Sequence, residues 1–361
     1  MSQSSRRSAA APDLVPGPAP GRPWARPLGG ELQELVLRSR LLQDNHLGDP
    51  WVRPLWVLLP PAYAKETERR FPVVYLLQGM GGQLDFWKAR NMLRPTAVEL
   101  FDELLSDPEM PPCLLVFVDC WTSLGGSQFL DSPGTGAYHS YLCQEVIPAV
   151  DRRFRTLADR EHRAVAGKSS GGYGALISAL LRPDLFGALA SHAGDALFEY
   201  CYLPEFPEAV RCLRDQYQGS WERFWADFRG RPALSRPGDE VLVNAWCMAA
   251  CYSARPDGTP ELPFDPVTGV LREAAWRRWL AHDPVRMIPE RIDAIRSLLG
   301  VYLEGGRRDE FHLDVGAGAL AAAFRAQGQK RVRLELFEAG HGRIEYRYPI
   351  GVRYLAEVMS R

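Results

Sequence analysis

The 361-residue sequence has no apolar run near the ~18 residues of a membrane span, and it has almost no net charge, 43 Lys and Arg against 44 Asp and Glu. The first lack argues against a transmembrane protein. The second removes the electrostatic footprint of a protein that binds nucleic acid or an anionic membrane. Cysteine is sparse and unpatterned: Cys113, Cys120, Cys143, Cys201, Cys212, Cys247 and Cys251 are odd in number and include no C-x-x-C. That excludes a disulfide framework and a zinc ribbon. Cys247 and Cys251 are four apart and read as buried small hydrophobes on one helix face, not as metal ligands. Neither G-x-x-x-x-G-K-[ST] nor G-x-G-x-x-G occurs, so no phosphate-cradling loop is expected. Arg6-Arg7 is not followed by the apolar core of an export signal. The expectation is a cytoplasmic protein with reduced thiols, no metal and no cofactor.

Residues 1–30 hold six prolines among Ala, Gly and Ser. Such a segment cannot bury enough apolar surface to order itself and is expected to be a disordered tail. From residue 31 onward, short apolar strands alternate with helical stretches, without internal repeat. Strands are expected at Glu31–Leu37, Val52–Leu59, Pro72–Leu77, Cys113–Asp119, Arg163–Ala166, Ala188–His192, Leu298–Glu304 and Arg331–Phe337. The runs Tyr75-Leu76-Leu77 and Leu114-Leu115-Val116-Phe117-Val118 suit parallel strands buried on both faces, whereas the first two strands carry charges and suit an antiparallel edge. Helices are expected at Ser140–Phe154, Gly172–Leu181 and Val315–Ala326. Alternation of this kind implies a mostly parallel eight-stranded α/β sheet with helices on both faces. Residues 196–290 break the rhythm and contain five of the ten Trp: 221, 225, 246, 276 and 279. A connection this long must carry its own structure, and it reads as a helical insertion over the carboxyl edge of the sheet, between strands six and seven.

Gly167-Lys168-Ser169-Ser170-Gly171 is a G-x-S-x-G placed directly after a strand and before a helix. This is the context of a nucleophile elbow. A serine there sits in a strained turn, and a Cβ two positions to either side would collide with the adjoining strand and helix. The following helix points its N-terminus at the developing oxyanion. Val73-Val74-Tyr75-Leu76-Leu77-Gln78-Gly79-Met80-Gly81-Gly82 runs from a buried strand into a glycine-rich loop. The backbone N–H groups of Met80 and Ser170 are the expected oxyanion-hole donors.

A general base is expected at His341, between Gly340 and Gly342 after the last strand, since the other six histidines have poorer contexts. Its acid partner is expected at Asp309, after the seventh strand, with the adjacent Glu310 as the alternative and Asp314 a more distant one. Asp309, Glu310, His312 and Asp314 lack the spacing and glycine of a calcium loop. The order Ser169, Asp309, His341 is that of the α/β-hydrolase fold.

With these residues the chain resembles the esterase family of α/β-hydrolases that includes esterase D (S-formylglutathione hydrolase), the mycolyltransferases, feruloyl esterases and the esterase domain of enterochelin esterases. The resemblance covers about residues 32–355. It is carried by Trp56 to Tyr63, Pro72 to Gly82, Asp85-Phe86-Trp87, Glu145 to Asp151, Gly167 to Gly174, Arg182 to Phe186, and Gly340-His341. Two positions depart from it. The family usually has His-Gly where Gln78-Gly79 stands, and often Met where Ser170 follows the nucleophile. The first implies altered loop bonding; the second leaves the backbone donor unchanged.

These readings converge on a serine carboxylic-ester hydrolase acting on a small-molecule ester through a covalent acyl-enzyme. The same site permits acyl transfer to an alcohol in place of water. A catalytically inactive binding protein on the same fold is the reading from another class.

Overall fold

The computed structural model describes residues 27–90, 95–231 and 236–360. The expected disordered tail, residues 1–30, lies outside the described residues up to position 26. Its last two residues, Gly29 and Gly30, donate their N–H groups to the Asp102 carboxylate at 2.8 Å each.

Eight strands form one sheet: β1 (Glu31–Arg38), β2 (Val52–Leu59), β3 (Val73–Leu77), β4 (Leu114–Val118), β5 (Arg163–Lys168), β6 (Ala188–His192), β7 (Gly300–Gly306) and β8 (Val332–Phe337). Their order across the sheet is β1-β2-β4-β3-β5-β6-β7-β8. The pairings β1–β2 and β2–β4 are antiparallel, and the remaining pairs are parallel. β3 and β4 carry only Val, Leu, Tyr and Phe, with the Tyr75 hydroxyl as their one polar side-chain group, and every residue of both is buried. β1 alternates between exposed and half-buried residues, as an edge strand with one wet face does.

Successive side chains of a strand point to opposite faces, so each central strand feeds two cores. Tyr75, Val116, Val165 and Leu189 lie on one face with helix α2 (Ser170–Leu181), the helical stretch 138–153 and α4 (Leu313–Ala326). Val74, Leu76, Phe117 and Ala166 lie on the other, against α1 (Ala97–Ser106) and α5 (Tyr348–Met359). Burying each such Leu, Val or Phe contributes roughly 1.5–3 kcal/mol. α1 starts at a reciprocal cap, where Thr96 accepts the Glu99 N–H and the Glu99 carboxylate accepts the Thr96 N–H.

Several boundaries differ from the sequence reading. The seventh strand begins at Gly300, two residues late, because Leu298 closes the preceding helix by donating its N–H to Ile295. The elbow helix begins at Ser170 and α4 at Leu313, each two residues early. The helix expected to end at Phe154 stops at Arg153, where the chain turns extended.

Between β6 and β7 the chain is mostly helical, with Phe206–Tyr217, Trp221–Gly230, α3 (Asp239–Tyr252) and Glu273–Leu280 as its longer pieces. Trp221, Trp276 and Trp279 are buried, while Trp225 and Trp246 are half-buried. Trp279 packs 5.4 Å from both Tyr202 and Tyr252, and its Nε1–H donates to Ser253 at 2.8 Å. The insertion therefore has an aromatic core of its own. It is tied to α2 by Tyr173, whose hydroxyl donates to the His282 carbonyl at 3.0 Å.

Candidate active site

The strand order sets the location. After β3 the chain crosses to β4 on one side of the sheet, and then to β5 on the other. Loops leaving β3 and β5 thus diverge at their carboxyl ends, which opens a crevice at this switch point. The β3 loop carries Gly79 and Met80; the β5 turn carries Ser169 and Ser170.

Ser169 lies in the left-handed region, with φ 58° and ψ −128°, between β5 and α2. For a residue with a Cβ this backbone is strained and persists only because its surroundings over-determine it. The flanking glycines are part of that restraint. A Cβ at Gly167 would sit 2.3 Å from the Gly171 carbonyl oxygen, and one at Gly171 would sit 2.2 Å from that of Leu77. Strand, turn and helix are packed too closely for any side chain there.

The β3 loop abuts the turn: a Cβ at Gly79 would meet the Ser169 Cβ at 3.3 Å. The loop is braced by the Gly81 N–H, which donates to the Gly125 carbonyl at 2.7 Å. The N–H groups of Met80 and Ser170 donate to no group among the described residues. Met80 and Ser170 line one narrow crevice together with Gln78 and with Gln128 and Phe129 from the loop after β4.

Asp309 and His341 come together from the ends of β7 and β8. The His341 Nδ1 is 2.9 Å from the Asp309 Oδ2, and the Asp309 side chain is fully buried. The other oxygen, Oδ1, accepts the Phe311 N–H at 2.9 Å. Glu310 reaches the same histidine at a different point, its Oε2 accepting the His341 backbone N–H at 2.7 Å. That bond holds the Glu310 carboxyl below the usual carboxylate range. The Phe311 ring stands edge-on to the imidazole at 5.0 Å. Ser169 and His341 share the carboxyl edge, yet their side chains form no mutual hydrogen bond among the described residues. Such contacts are commonly long in a free enzyme and tighten around substrate. Burial pushes the Lys168 ammonium down, against the pull of Glu345, Asp309 and Glu310.

A third carboxyl, Asp195, was not singled out from the sequence. It follows β6, is 7% exposed, and lies within electrostatic reach of His341 and Asp309; burial raises its pKa. Its Oδ2 accepts from Tyr202 and from Gln128, both at 2.9 Å, and Gln128 also donates to Tyr252 at 2.8 Å. The only signal in the sequence was an acid at the carboxyl end of a central strand.

Among the described residues no group of three or more His, Cys, Asp or Glu side chains is arranged to hold a metal ion, and no helix is long and apolar enough to cross a membrane. Cys247 and Cys251 are both buried on α3, and the Cys247 thiol donates to the Gly126 carbonyl at 3.4 Å.

The sheet order, the strained serine turn and the Asp–His contact define an α/β-hydrolase fold, and solved structures agree. A ferulic acid esterase superposes with a TM-score of 0.57 at 18% identity, covering 91% of this chain and 99% of that one. An S-formylglutathione hydrolase from Agrobacterium tumefaciens does so at 0.53 and 16%, covering 93% and 97%. The family described as "Putative esterase" matches residues 50–349, and the chain belongs to it. Among curated relatives, an endo-1,4-beta-xylanase/feruloyl esterase of Xylanibacter ruminicola is 30% identical over 163 residues, 44% of this chain and 21% of that protein. An esterase of Mycobacterium tuberculosis is 32% identical over 152 residues, 40% and 30%. The matched segments thus span less than a third of either relative.

Proposed function

We propose that the protein is a carboxylic-ester hydrolase whose nucleophile is Ser169, with His341 as general base and Asp309 as its acid partner. The observation that carries the reading is the 2.9 Å contact between Asp309 and the His341 Nδ1, made at the sheet edge that also bears the strained Ser169. Asp309 fixes the tautomer, so that Nε2 is the nitrogen able to take a proton, and it stabilises the imidazolium that forms. His341 accepts the Ser169 proton as the hydroxyl oxygen attacks the ester carbonyl. The Met80 and Ser170 N–H groups, which have no other acceptor among the described residues, hold the oxyanion, reinforced by the N-terminus of α2. Collapse of this intermediate expels the alcohol, which takes its proton from His341. Water, deprotonated in turn by His341, then attacks the acyl-enzyme; the second intermediate breaks its bond to the Ser169 oxygen, which takes that proton back from His341 as the acid is released. The fit of Asp309 supports it over Glu310, whose carboxylate is spent on the histidine's backbone and holds the loop.

The reading is tested by hydrolysis of a short-chain nitrophenyl ester, with Ser169→Ala as control. Adding a competing alcohol and identifying the products separates hydrolysis from acyl transfer: free acid alone means water is the acceptor, a new ester means the alcohol is. Absence of turnover would leave the fold as a binding scaffold.

A further inference from the structure

One residue before the strained turn, a row of titratable side chains crosses the sheet. Lys168, His192, Glu304 and Glu335 stand in register on β5, β6, β7 and β8. His192 is 1% exposed and Glu304 is fully buried, on the face that α5 covers: the imidazole lies 4.8 Å from the Tyr348 ring. The proposed reaction uses none of them.

Glu304 is the centre of the row. Its Oε1 accepts the His192 Nδ1–H at 2.6 Å, and its Oε2 accepts the Tyr302 hydroxyl and the Arg347 Nε–H, both at 2.7 Å. Burial pushes the Glu304 carboxyl up, but these three partners outweigh it and hold the group below the usual carboxylate range. Arg347 also donates through a terminal nitrogen to Glu335, and its guanidinium lies over the Phe337 ring, 4.1 Å from the centroid. The His192 Nε2 has no partner among the described residues and faces Gly351 of α5, where a Cβ would come within 2.5 Å. His192 is therefore closed off from a substrate and is no second base.

The members of this network hold the segments that carry the candidate triad. The His192 carbonyl accepts the Ser169 N–H at 2.9 Å, and the Glu304 carbonyl accepts the Ala193 N–H at 2.8 Å. β7, which bears Glu304, runs on to Asp309. Arg347 closes the segment that bears His341. By lying over Phe337, the last residue of β8, it joins the two ends of residues 338–346, and by its bonds to Glu304 and Glu335 it fastens them to the sheet. An ion pair buried in this way is a weak stabiliser, because desolvating both charges offsets their attraction. Its position points to another role. We propose that Glu304 and Arg347 are positioning residues, which hold His341 in place relative to Ser169 and Asp309. The assignment rests on the triad reading above. Neither residue touches the reacting atoms; both act through the backbone that carries them.

Two variants test it, with kcat taken per active site as counted by stoichiometric fluorophosphonate labelling. Arg347→Lys keeps a charge beside Glu304 but lacks the fork that spans two carboxylates. Glu304→Gln keeps the shape, but its amide has one acceptor oxygen where the carboxylate has two. A misplacement of about 1 Å can slow a reaction about 10²-fold, so kcat per site is expected to fall by about tenfold or more in each variant, with KM within about twofold of wild type. Because the two residues act as one clamp, the double variant should lose no more than the more impaired single one; losses that multiply would contradict the clamp. A merely structural pair would lower the urea midpoint and the number of labelled sites and leave kcat per site unchanged. That result in both variants, or in Arg347→Lys alone if Glu304→Gln does not fold, with Ser169→Ala inactive, would overturn the positioning role and leave the triad intact. Undiminished turnover by Ser169→Ala would overturn both.

Discussion

Asp309 and Glu310 are neighbours in sequence, yet they hold His341 by different atoms, the first through the imidazole Nδ1 at 2.9 Å and the second through the backbone N–H at 2.7 Å. One contact is made to the ring, the other to the backbone of the loop.

This division predicts unequal effects. Asp309→Asn keeps the shape but favours the wrong tautomer and removes the charge opposite the imidazolium, so kcat should fall roughly 10³–10⁴-fold. In Glu310→Gln the amide oxygen still accepts the His341 N–H, so kcat should stay within about tenfold of wild type, with a small loss of stability from the weaker neutral bond. Steady-state kinetics on one ester decide the matter. A larger loss at Glu310 would reassign the acid.

The elbow glycines give a stability prediction with an internal control. Gly171→Ala places a Cβ 2.2 Å from the Leu77 carbonyl oxygen at the end of β3, so backbone must move. We expect a loss of about 3 kcal/mol or more, or failure to fold. Gly318, inside α4, has open space around its Cβ position. Gly318→Ala should be neutral or stabilise by up to about 1 kcal/mol. Urea melts of the two variants test the contrast, and equal effects would contradict it.

A pH-dependent stability term is expected from the insertion. Burial is the main cause pushing the Glu205 carboxyl up to about 7; the Asn244 side chain, which donates to it at 2.6 Å, opposes the rise. The folded state thus keeps this proton to higher pH than the unfolded chain, where a glutamate titrates near 4.3. Stability from this group is fully present below that unfolded value and is lost as pH rises through 7. Glu205→Gln carries no charge and can still accept from Asn244. It should match wild type near pH 4 and be more stable by about 2 kcal/mol at pH 8, a figure reduced for the partial exposure of the group. A difference that does not change with pH would contradict the assignment.

The fold was legible where patterns are local. Buried runs such as Tyr75–Leu77 and Leu114–Val118 marked the central strands, and charges in the first two strands marked the antiparallel edge. The elbow was legible because its glycine spacing is a steric requirement that shows in sequence. α1 and α5 did not stand out, although each covers a face of the sheet, and neither did the two-residue hairpin Asp131–Ser132 with Gly136–Ala137. The sequence favours Asp309 and leaves Glu310 as the alternative, but it does not show which atoms of His341 each carboxylate meets, since one residue of loop path decides that. The network of Gln128 with Asp195, Tyr202 and Tyr252 was hidden for a related reason. Its members lie 67 to 124 residues from Gln128, and no periodicity links them.

The central claim is that Ser169 is the nucleophile. Its most direct test is mass spectrometry of the protein after reaction with a fluorophosphonate, followed by peptide mapping. One phosphonyl adduct on Ser169, absent from Ser169→Ala and slowed in parallel with turnover by Asp309→Asn, is the predicted result. An adduct on Ser170 in the wild type, or undiminished ester turnover by Ser169→Ala, would contradict the account.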